Sequence, residues 1–411
     1  MSPDDSSVLA PATCPAGGQT PPADSMALLR ELIAFDTVSR TPNDRLMARV
    51  QAILAAAGIE ATLAPDPEDA TRCNLFASIG PHDQPGVMLS GHTDVVPVAG
   101  QPWSYPPFEA TERDGRLYGR GTADMKGFVA CAVMAMVRAV DQPLKRPLQI
   151  ALSFDEEIGC VGVRHLLRAL ETMPHPPVLC VVGEPTLMKI GTGHKGKAAY
   201  RACCAGHAGH SGLAPNYVNA IHGAADLIDA LRDVQRDLAE HGTRESGYEI
   251  PYTTVHAGTI RGGTALNIVP DACDVQFEIR NVAGDDPAEI LSRILARTTA
   301  RMQQTVAHPE ATPPDVTLVN AYPGLSVPED APAVQLLARM LPPGTPCTKV
   351  AFGTEGGLFK AQWPHTGVLV CGPGDIAVAH QADEYVEIAQ IEACDQLMDK
   401  LTQYLCTAPG A

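Results

Sequence analysis

A chain of 411 residues is long enough for a substantial core and, by length alone, for two or three domains. Its formal net charge of −17 and the lack of any basic run exclude nucleic acid and anionic membrane as natural partners. No apolar run approaches the roughly 18 residues needed to span a bilayer, and the twelve cysteines are scattered without framework spacing. Buried free thiols in a reducing compartment fit that scatter better than disulfides. A net charge of this sign suits a small substrate with a positive group, and equally serves solubility alone.

Residues 1–23 are rich in Pro, Ser, Ala and Gly, with Asp4 and Asp5 and no Lys or Arg. This reads as a disordered tail, without the basic start and apolar core of a secretory signal, and the protein is expected in the cytoplasm. The apolar spacing from Ser25 to Ala57 predicts amphipathic helix, broken at Ser39–Pro42 and stopped by Gly58. Strands are expected at Ala61–Leu63, Asn74–Ser78 and Val87–Leu89, and helices at Met125–Val140 and Val161–Leu170. Such alternation predicts an α/β fold with a doubly wound, mostly parallel sheet over residues 24–192.

After Gly191 the texture changes. A strand at Ala198–Ala205, a helix at Pro215–Glu240, strands at Thr253–Arg261 and Ala272–Ile279, a helix at Pro287–Met302 and a strand at Asp315–Tyr322 follow in order. The β-α-β-β-α-β sequence is the ferredoxin-like split motif, expected as a separate α+β domain over 193–323 inserted into the first. Residues 324–411 then return to the first domain.

Five short apolar runs each lead into a residue able to bind a metal: His92 with Asp94, Asp124, the Glu156-Glu157 pair, Glu184, and a glycine-rich loop with His380. Four of these runs read as buried strands; the one before Asp124 is the doubtful case and reads also as loop. In an open α/β sheet, ligands bind beyond the carboxyl ends of the strands, so these side chains are expected in one crevice. Nitrogen and oxygen ligands without thiolate suit zinc, cobalt or manganese. Five ligands exceed one tetrahedral zinc and fit two metals sharing a carboxylate and a bridging water. Neighbours on an extended segment point opposite ways, so one acid of the pair can bind metal while the other faces the water as general base. The i, i+2 spacing of His92 and Asp94 lets Asp94 orient the imidazole.

The segments SGHTDVVP (90–97), GRGTADMKG (119–127), SFDEEIGCVG (153–162), VGEPT (182–186) and AGHSGLAP (208–215) resemble the dizinc aminoacylase and carboxypeptidase family. Acetylornithine deacetylases and succinyl-diaminopimelate desuccinylases belong to that family. The resemblance implies Asp124 as the bridging ligand, His92 and Glu184 on one metal, Glu157 and His380 on the other, and Glu156 as general base. It also implies that His210 stabilises the oxyanion, that Asn267 contacts substrate, and that Arg280 binds a substrate carboxylate. His207 matches no family position and is taken as structural. Relatives of this architecture pair through the inserted domain, which implies a homodimer with that domain as lid and interface, and His210 acting either in its own or in the neighbouring subunit's site. Desuccinylases and many aminoacylases usually carry Gly-Ser/Thr-Asp before the last histidine. Here Gly353-Thr354-Glu355 and His194-Lys195-Gly196 are similar to acetylornithine deacetylases. Glu355 then meets a substrate ammonium or is a turn residue. The expected activity is hydrolysis of an N-acetyl amino acid, N-acetylornithine first, as in arginine biosynthesis. Desuccinylase, aminoacylase, dipeptidase and a non-catalytic binding protein of the same fold are the alternatives.

Overall fold

The longest apolar runs become strands covered on both faces. Val87–His92, Leu148–Ser153 and Leu179–Pro185 are buried at every position, as central strands of an α/β sheet must be. The computed structural model describes residues 21–305 and 311–407, so most of the expected tail, residues 1–20, lies outside the described residues. Helix α1 (Ser25–Ile33) starts at Asp24, whose carboxylate accepts from the Ala27 amide at 2.7 Å. There follow α2 (Asp44–Ala56), β1 (Ala61–Pro65), β2 (Cys73–Ile79), β3 (Val87–His92), β4 (Thr111–Arg113), β5 (Arg116–Tyr118), α3 (Gly127–Ala139), β6 (Leu148–Ser153), α4 (Val163–Ala169), β7 (Leu179–Pro185) and β8 (Ile190–His194). The chain continues through β9 (Lys197–Ala205), α5 (Ala220–His241), β10 (Thr254–Gly262), β11 (Ala272–Arg280), α6 (Pro287–Thr305) and β12 (Asp315–Tyr322). It ends with β13 (Leu325–Ser326), α7 (Pro332–Met340), β14 (Cys347–Val350), α8 (Gly356–Gln362), β15 (Gly367–Gly372), β16 (Tyr385–Glu387) and α9 (Ile388–Leu405).

Two units result. The first comprises residues up to 193 with 326–350 and 354–411; the second comprises 194–325 with 351–353. In the first, the described residues form a nine-stranded sheet in the order β1-β2-β6-β3-β7-β15-β8-β13, with β14 beside β8. β6-β3-β7-β15 are parallel, whereas β1–β2, β2–β6 and β15–β8 are antiparallel. The sheet is therefore mixed and not mostly parallel. The β1–β2 and β7–β8 connections are too short for a crossover helix, and such links return the chain antiparallel.

The run before Asp124 is a turn. β5 belongs to a separate three-stranded sheet with β4 and β16, and α3 starts at Gly127 after a tight turn over Thr122–Lys126. Lys126, fully buried in that turn, donates through Nζ to the Leu32 and Phe35 carbonyls at 3.1 and 2.7 Å, satisfying the last turn of α1.

α3 packs on the parallel strands through small and apolar residues, and the contact is close. A Cβ added at Gly183 would lie 1.9 Å from Phe128 Cγ. Gly183→Ala is expected to destabilise the fold by about 1–3 kcal/mol, read as a lower urea midpoint at unchanged slope. An unchanged midpoint would mean that Phe128 yields freely.

The second unit is a four-stranded antiparallel sheet in the order β10-β11-β9-β12 with α5 and α6. Leu227, Leu231, Val234 and Leu238 of α5 and Ile290 and Ile294 of α6 share a core with Tyr200, Val275 and Phe277 of the sheet. α5 begins at Ala220, five residues after the expected Pro215. A 3₁₀ turn occupies Ser211–Asn216, and Asn219 caps the helix by accepting from the Ile221 amide at 2.9 Å. Among the described residues every cysteine is unpaired, and no helix is long and apolar enough to cross a membrane.

Candidate metal centre

The four parallel strands end side by side, and the ligand candidates of the first unit sit at that edge. His92 is the last residue of β3, paired in register with Ser153, the last of β6. Glu156 and Glu157 follow β6, Glu184 lies at the end of β7, and His380 follows β15. Asp124 reaches the same edge from the turn before α3.

The His92 Nδ1–H donates to the Asp94 carbonyl at 2.9 Å, which leaves Nε2 directed into the cluster. Nε2 lies 3.1 Å from Asp124 Oδ1 and 3.9 Å from Glu184 Oε1. The other Asp124 oxygen, Oδ2, lies 3.3 Å from His380 Nε2, and that nitrogen is 3.0 Å from Glu157 Oε2. Each oxygen of one carboxylate thus serves a different imidazole. Ligand atoms of His92, Asp124 and Glu157, and separately of His92, Glu156 and Glu184, lie within 4.8 Å of one another. Most of the cluster is buried, while the His380 side chain is 50% exposed and marks the open side.

The electrostatics are those of a cation site. Burial would raise Asp124, but hydrogen bonds from His380 and His92 hold it well below the usual carboxylate range. Burial, with Asp124 nearby, pushes Glu184 well up and Glu157 up to about 7. Glu156 is pushed well above its ordinary value, chiefly by burial, with Glu157 and Glu355 adding to it against His92. Hydrogen bonds to Asp124 and Glu157 push His380 up to about 10. Carboxylates outnumber imidazoles here, so protons fill the cluster, and divalent cations are what would displace them. The donor set contains no thiolate. Cys160 Sγ donates to Glu156 Oε1 at 3.2 Å, and burial pushes that thiol well up. The residues present therefore fit a pair of hard or borderline divalent ions.

Three expectations change in detail. Asp94 orients His92 mainly through its main-chain carbonyl; its carboxylate stands 3.5 Å from Nδ1. That carboxylate accepts instead from Ser39 Oγ at 2.7 Å and from the Glu156 and Glu157 amides at 3.0 and 3.3 Å. β3 has ended by then, so the strand's i, i+2 rule no longer governs Asp94. Glu156 and Glu157 do not simply alternate either, and both face the cluster. Asp155 before them has φ +52°, which breaks the extended geometry, and its carboxylate is held by the Arg40 amide and by Arg72 Nη1, each at 2.6 Å.

Glu355 is the third. It is 1% exposed, and its oxygens accept from Ser153 Oγ and, at 3.2 Å, from Ser90 Oγ. A carboxylate buried and engaged in this way does not present itself to a substrate ammonium. Burial pushes Glu355 from 4.5 up to about 7. Its contribution to stability is therefore fully present below about 4.5 and is lost as the pH rises through about 7. In metal-free protein, the Tm of Glu355→Gln should gain on that of the wild type between pH 4.5 and 8. A difference independent of pH would show that Glu355 does not titrate in the fold.

The remaining candidates belong to the second unit. His210 is exposed, with Nδ1 accepting from the Gly212 amide at 3.0 Å. Asn267 is exposed nearby, its carbonyl accepting from the Ser211 amide at 3.1 Å. Arg280, at the end of β11, donates to Glu278 at 3.0 Å and to the Tyr322 hydroxyl at 3.1 Å. His207 is exposed in the same loop as His210. Sequence reasoning passed over Asp155, Cys160 and Glu384. The one available signal was the acid four residues after His380, ahead of the last helix.

Residues 88–404 match the peptidase family M20/M25/M40. The chain is 33% identical over 389 residues to an acetylornithine deacetylase of Klebsiella pneumoniae (strain 342), covering 92% of this chain and 97% of that protein. It is 35% identical over 387 residues to an acetylornithine deacetylase of Myxococcus xanthus, with the same coverage. Its fold is similar to that of an M20 family metallo-carboxypeptidase from Sulfolobus solfataricus, with a TM-score of 0.74 at 18% identity over 93% of this chain and 99% of that one. With ligand candidates on adjacent strand ends and a match running through both units, the chain belongs to peptidase family M20/M25/M40.

Proposed function

We propose that this chain is a metal-dependent amidohydrolase that removes the acetyl group from N²-acetyl-L-ornithine, releasing acetate and L-ornithine. The observation that carries the metal chemistry is the division of Asp124 between His92 and His380. The substrate rests on the acetylornithine deacetylases that the chain is 33% and 35% identical to over 92% of its length.

Two divalent cations, zinc first and cobalt or manganese as alternatives, would be held by His92, Asp124 and Glu184 and by Asp124, Glu157 and His380, and would supply Lewis acidity to the carbonyl and acidity to a water. Glu156 takes the proton from the attacking water and passes it to the leaving amine nitrogen. Its raised proton affinity in the buried pocket suits that exchange. Asp94 holds the main chain of the acid pair and the orientation of His92. His210 donates to the developing oxyanion, Asn267 contacts the substrate, and Arg280 binds its carboxylate with a planar fork of donors. The second unit acts as lid and as the interface of a homodimer, in a cytoplasmic enzyme of arginine biosynthesis.

Turnover of N-acetylornithine, N-succinyl-diaminopimelate and several dipeptides by the zinc- or cobalt-loaded protein tests this reading. A preference for the succinyl compound or for a dipeptide would replace the substrate; no turnover of any would remove the enzyme. His210 is assigned to the neighbouring subunit's site, and mixed dimers test that. His210→Ala and Glu156→Ala are each expected to be nearly inactive alone, whereas their heterodimer regains one complete site. A verified heterodimer without activity would place His210 in its own subunit's site.

A further inference from the structure

The turn that carries Asp124 closes on itself only in part: the Thr122 and Lys126 amides donate to the Gly119 and Gly121 carbonyls at 3.2 and 2.8 Å, while three other amides of the turn donate to a side chain distant in sequence. Gly121 there has φ +84°, and a Cβ on it would lie 2.8 Å from Val95 Cγ1. The amides of Gly121, Ala123 and Asp124 converge as a small anion nest. The fully buried carboxylate of Glu384 fills it, with Oε1 accepting from the Ala123 and Asp124 amides at 2.9 and 3.1 Å and Oε2 from the Gly121 amide at 3.1 Å. Oε2 also accepts from Arg120 Nη1 at 2.7 Å. The Glu384 carbonyl accepts from the Gly119 amide at 2.9 Å. Arg120 is 1% exposed, lies 4.9 Å over the Trp103 ring, and donates to Gln101 Oε1 at 2.5 Å. Gln101 in turn donates through Nε2 to the His380 carbonyl at 2.9 Å.

We infer that Glu384 is a positioning residue of the metal centre: its carboxylate is the template for the Asp124 turn, and its chain segment ties that turn to His380. Buried amides require acceptors, and this one side chain supplies them for three donors of the turn, those of Gly121, Ala123 and Asp124. Only three residues separate His380 from Glu384, so one short segment sets both a ligand and the direction of the shared carboxylate. A carboxylate suits the place because all its neighbours are donors. In Glu384→Gln the amide nitrogen would have to face a backbone N–H or the Arg120 guanidinium.

The inference rests on the metal-centre reading above, and the test separates the two. Wild type, Glu384→Gln and Glu384→Asp are compared by circular dichroism, chelator competition for Co²⁺, the visible Co²⁺ absorption bands and steady-state kinetics. Both variants are expected to keep the wild-type circular dichroism. Glu384→Gln should bind Co²⁺ at least about tenfold more weakly, with altered bands, and lose kcat about tenfold or more at unchanged KM. Glu384→Asp keeps the charge but retracts it by one methylene, and should show the same changes in smaller measure. If Glu384→Gln binds two Co²⁺ with wild-type affinity and bands, the inference fails, even if its Tm is lower. If neither variant folds, Glu384 is a folding element and the positioning role is overturned. A wild type that takes up no Co²⁺ would overturn the metal-centre reading itself, and this inference with it.

Discussion

Glu156→Ala is expected to bind two divalent ions per chain and to hydrolyse N-acetylornithine at least about 10²-fold more slowly than the wild type. Glu156 is buried beside the cluster, with its amide held by Asp94 and its carboxylate touched by the Cys160 thiol. Burial and the surrounding carboxylates push it well above the ordinary range, so it is a strong enough base to take a proton from an acidified water and a good enough acid to return it. Removing the side chain deletes that transfer. It leaves His92, Asp124, Glu157, Glu184 and His380 in place, so metal content should stay near two. The variant has to be measured for bound metal and for kcat together. Loss of an ion would make Glu156 a ligand, in line with its closeness to His92 and Glu184. Retention of most of the activity would move the general base elsewhere.

Asp124→Asn should fall further, because it strikes both ions at once. Asp124 Oδ1 faces His92 and Oδ2 faces His380, so this one carboxylate touches both imidazoles of the centre. An amide keeps one acceptor and puts a donor in place of the other. It also removes the negative charge that stands between two imidazoles. Loss of an outer partner alone typically costs 10–100-fold in metal affinity, and the shared ligand should cost more than about 100-fold for at least one ion. Equilibrium dialysis should then find at most one ion per chain, with hydrolysis near background. Two ions bound at wild-type affinity would show that another residue bridges them. The Glu384 hydrogen bonds go to the main chain of this turn, so Asp124→Asn should leave the fold and the Arg120–Glu384 pair intact.

The ligand candidates were legible in the sequence for a physical reason. His92, Glu184 and the Glu156-Glu157 pair each follow an apolar run of strand length, and apolar runs of that kind form the parallel centre of a sheet whose strand ends share one edge. Imidazole and carboxylate identity then selects the class of ion. The helices α1, α2 and α6 were legible too, because an amphipathic stripe and its breaks are local properties. So was the order of strands and helices in the second unit, down to Asp315–Tyr322 for β12.

What the sequence by itself determined about this protein is therefore its class of chemistry and its alternation of elements. Both are written in side-chain type and short-range period. Only the tertiary structure decided the rest, because it depends on which distant groups satisfy buried amides and charges. β5 paired with β16 instead of entering the main sheet. The Asp94 carboxylate went to the amides of the acid pair, leaving the imidazole to its carbonyl. Glu355, which the sequence left between meeting a substrate ammonium and shaping a turn, is buried against Ser90 and Ser153. Glu384, marked in the sequence only as an acid four residues after His380, became the acceptor for the turn that aims Asp124. A backbone N–H removed from water must find an acceptor wherever the fold supplies one, and that acceptor lies hundreds of residues away in sequence as readily as next door.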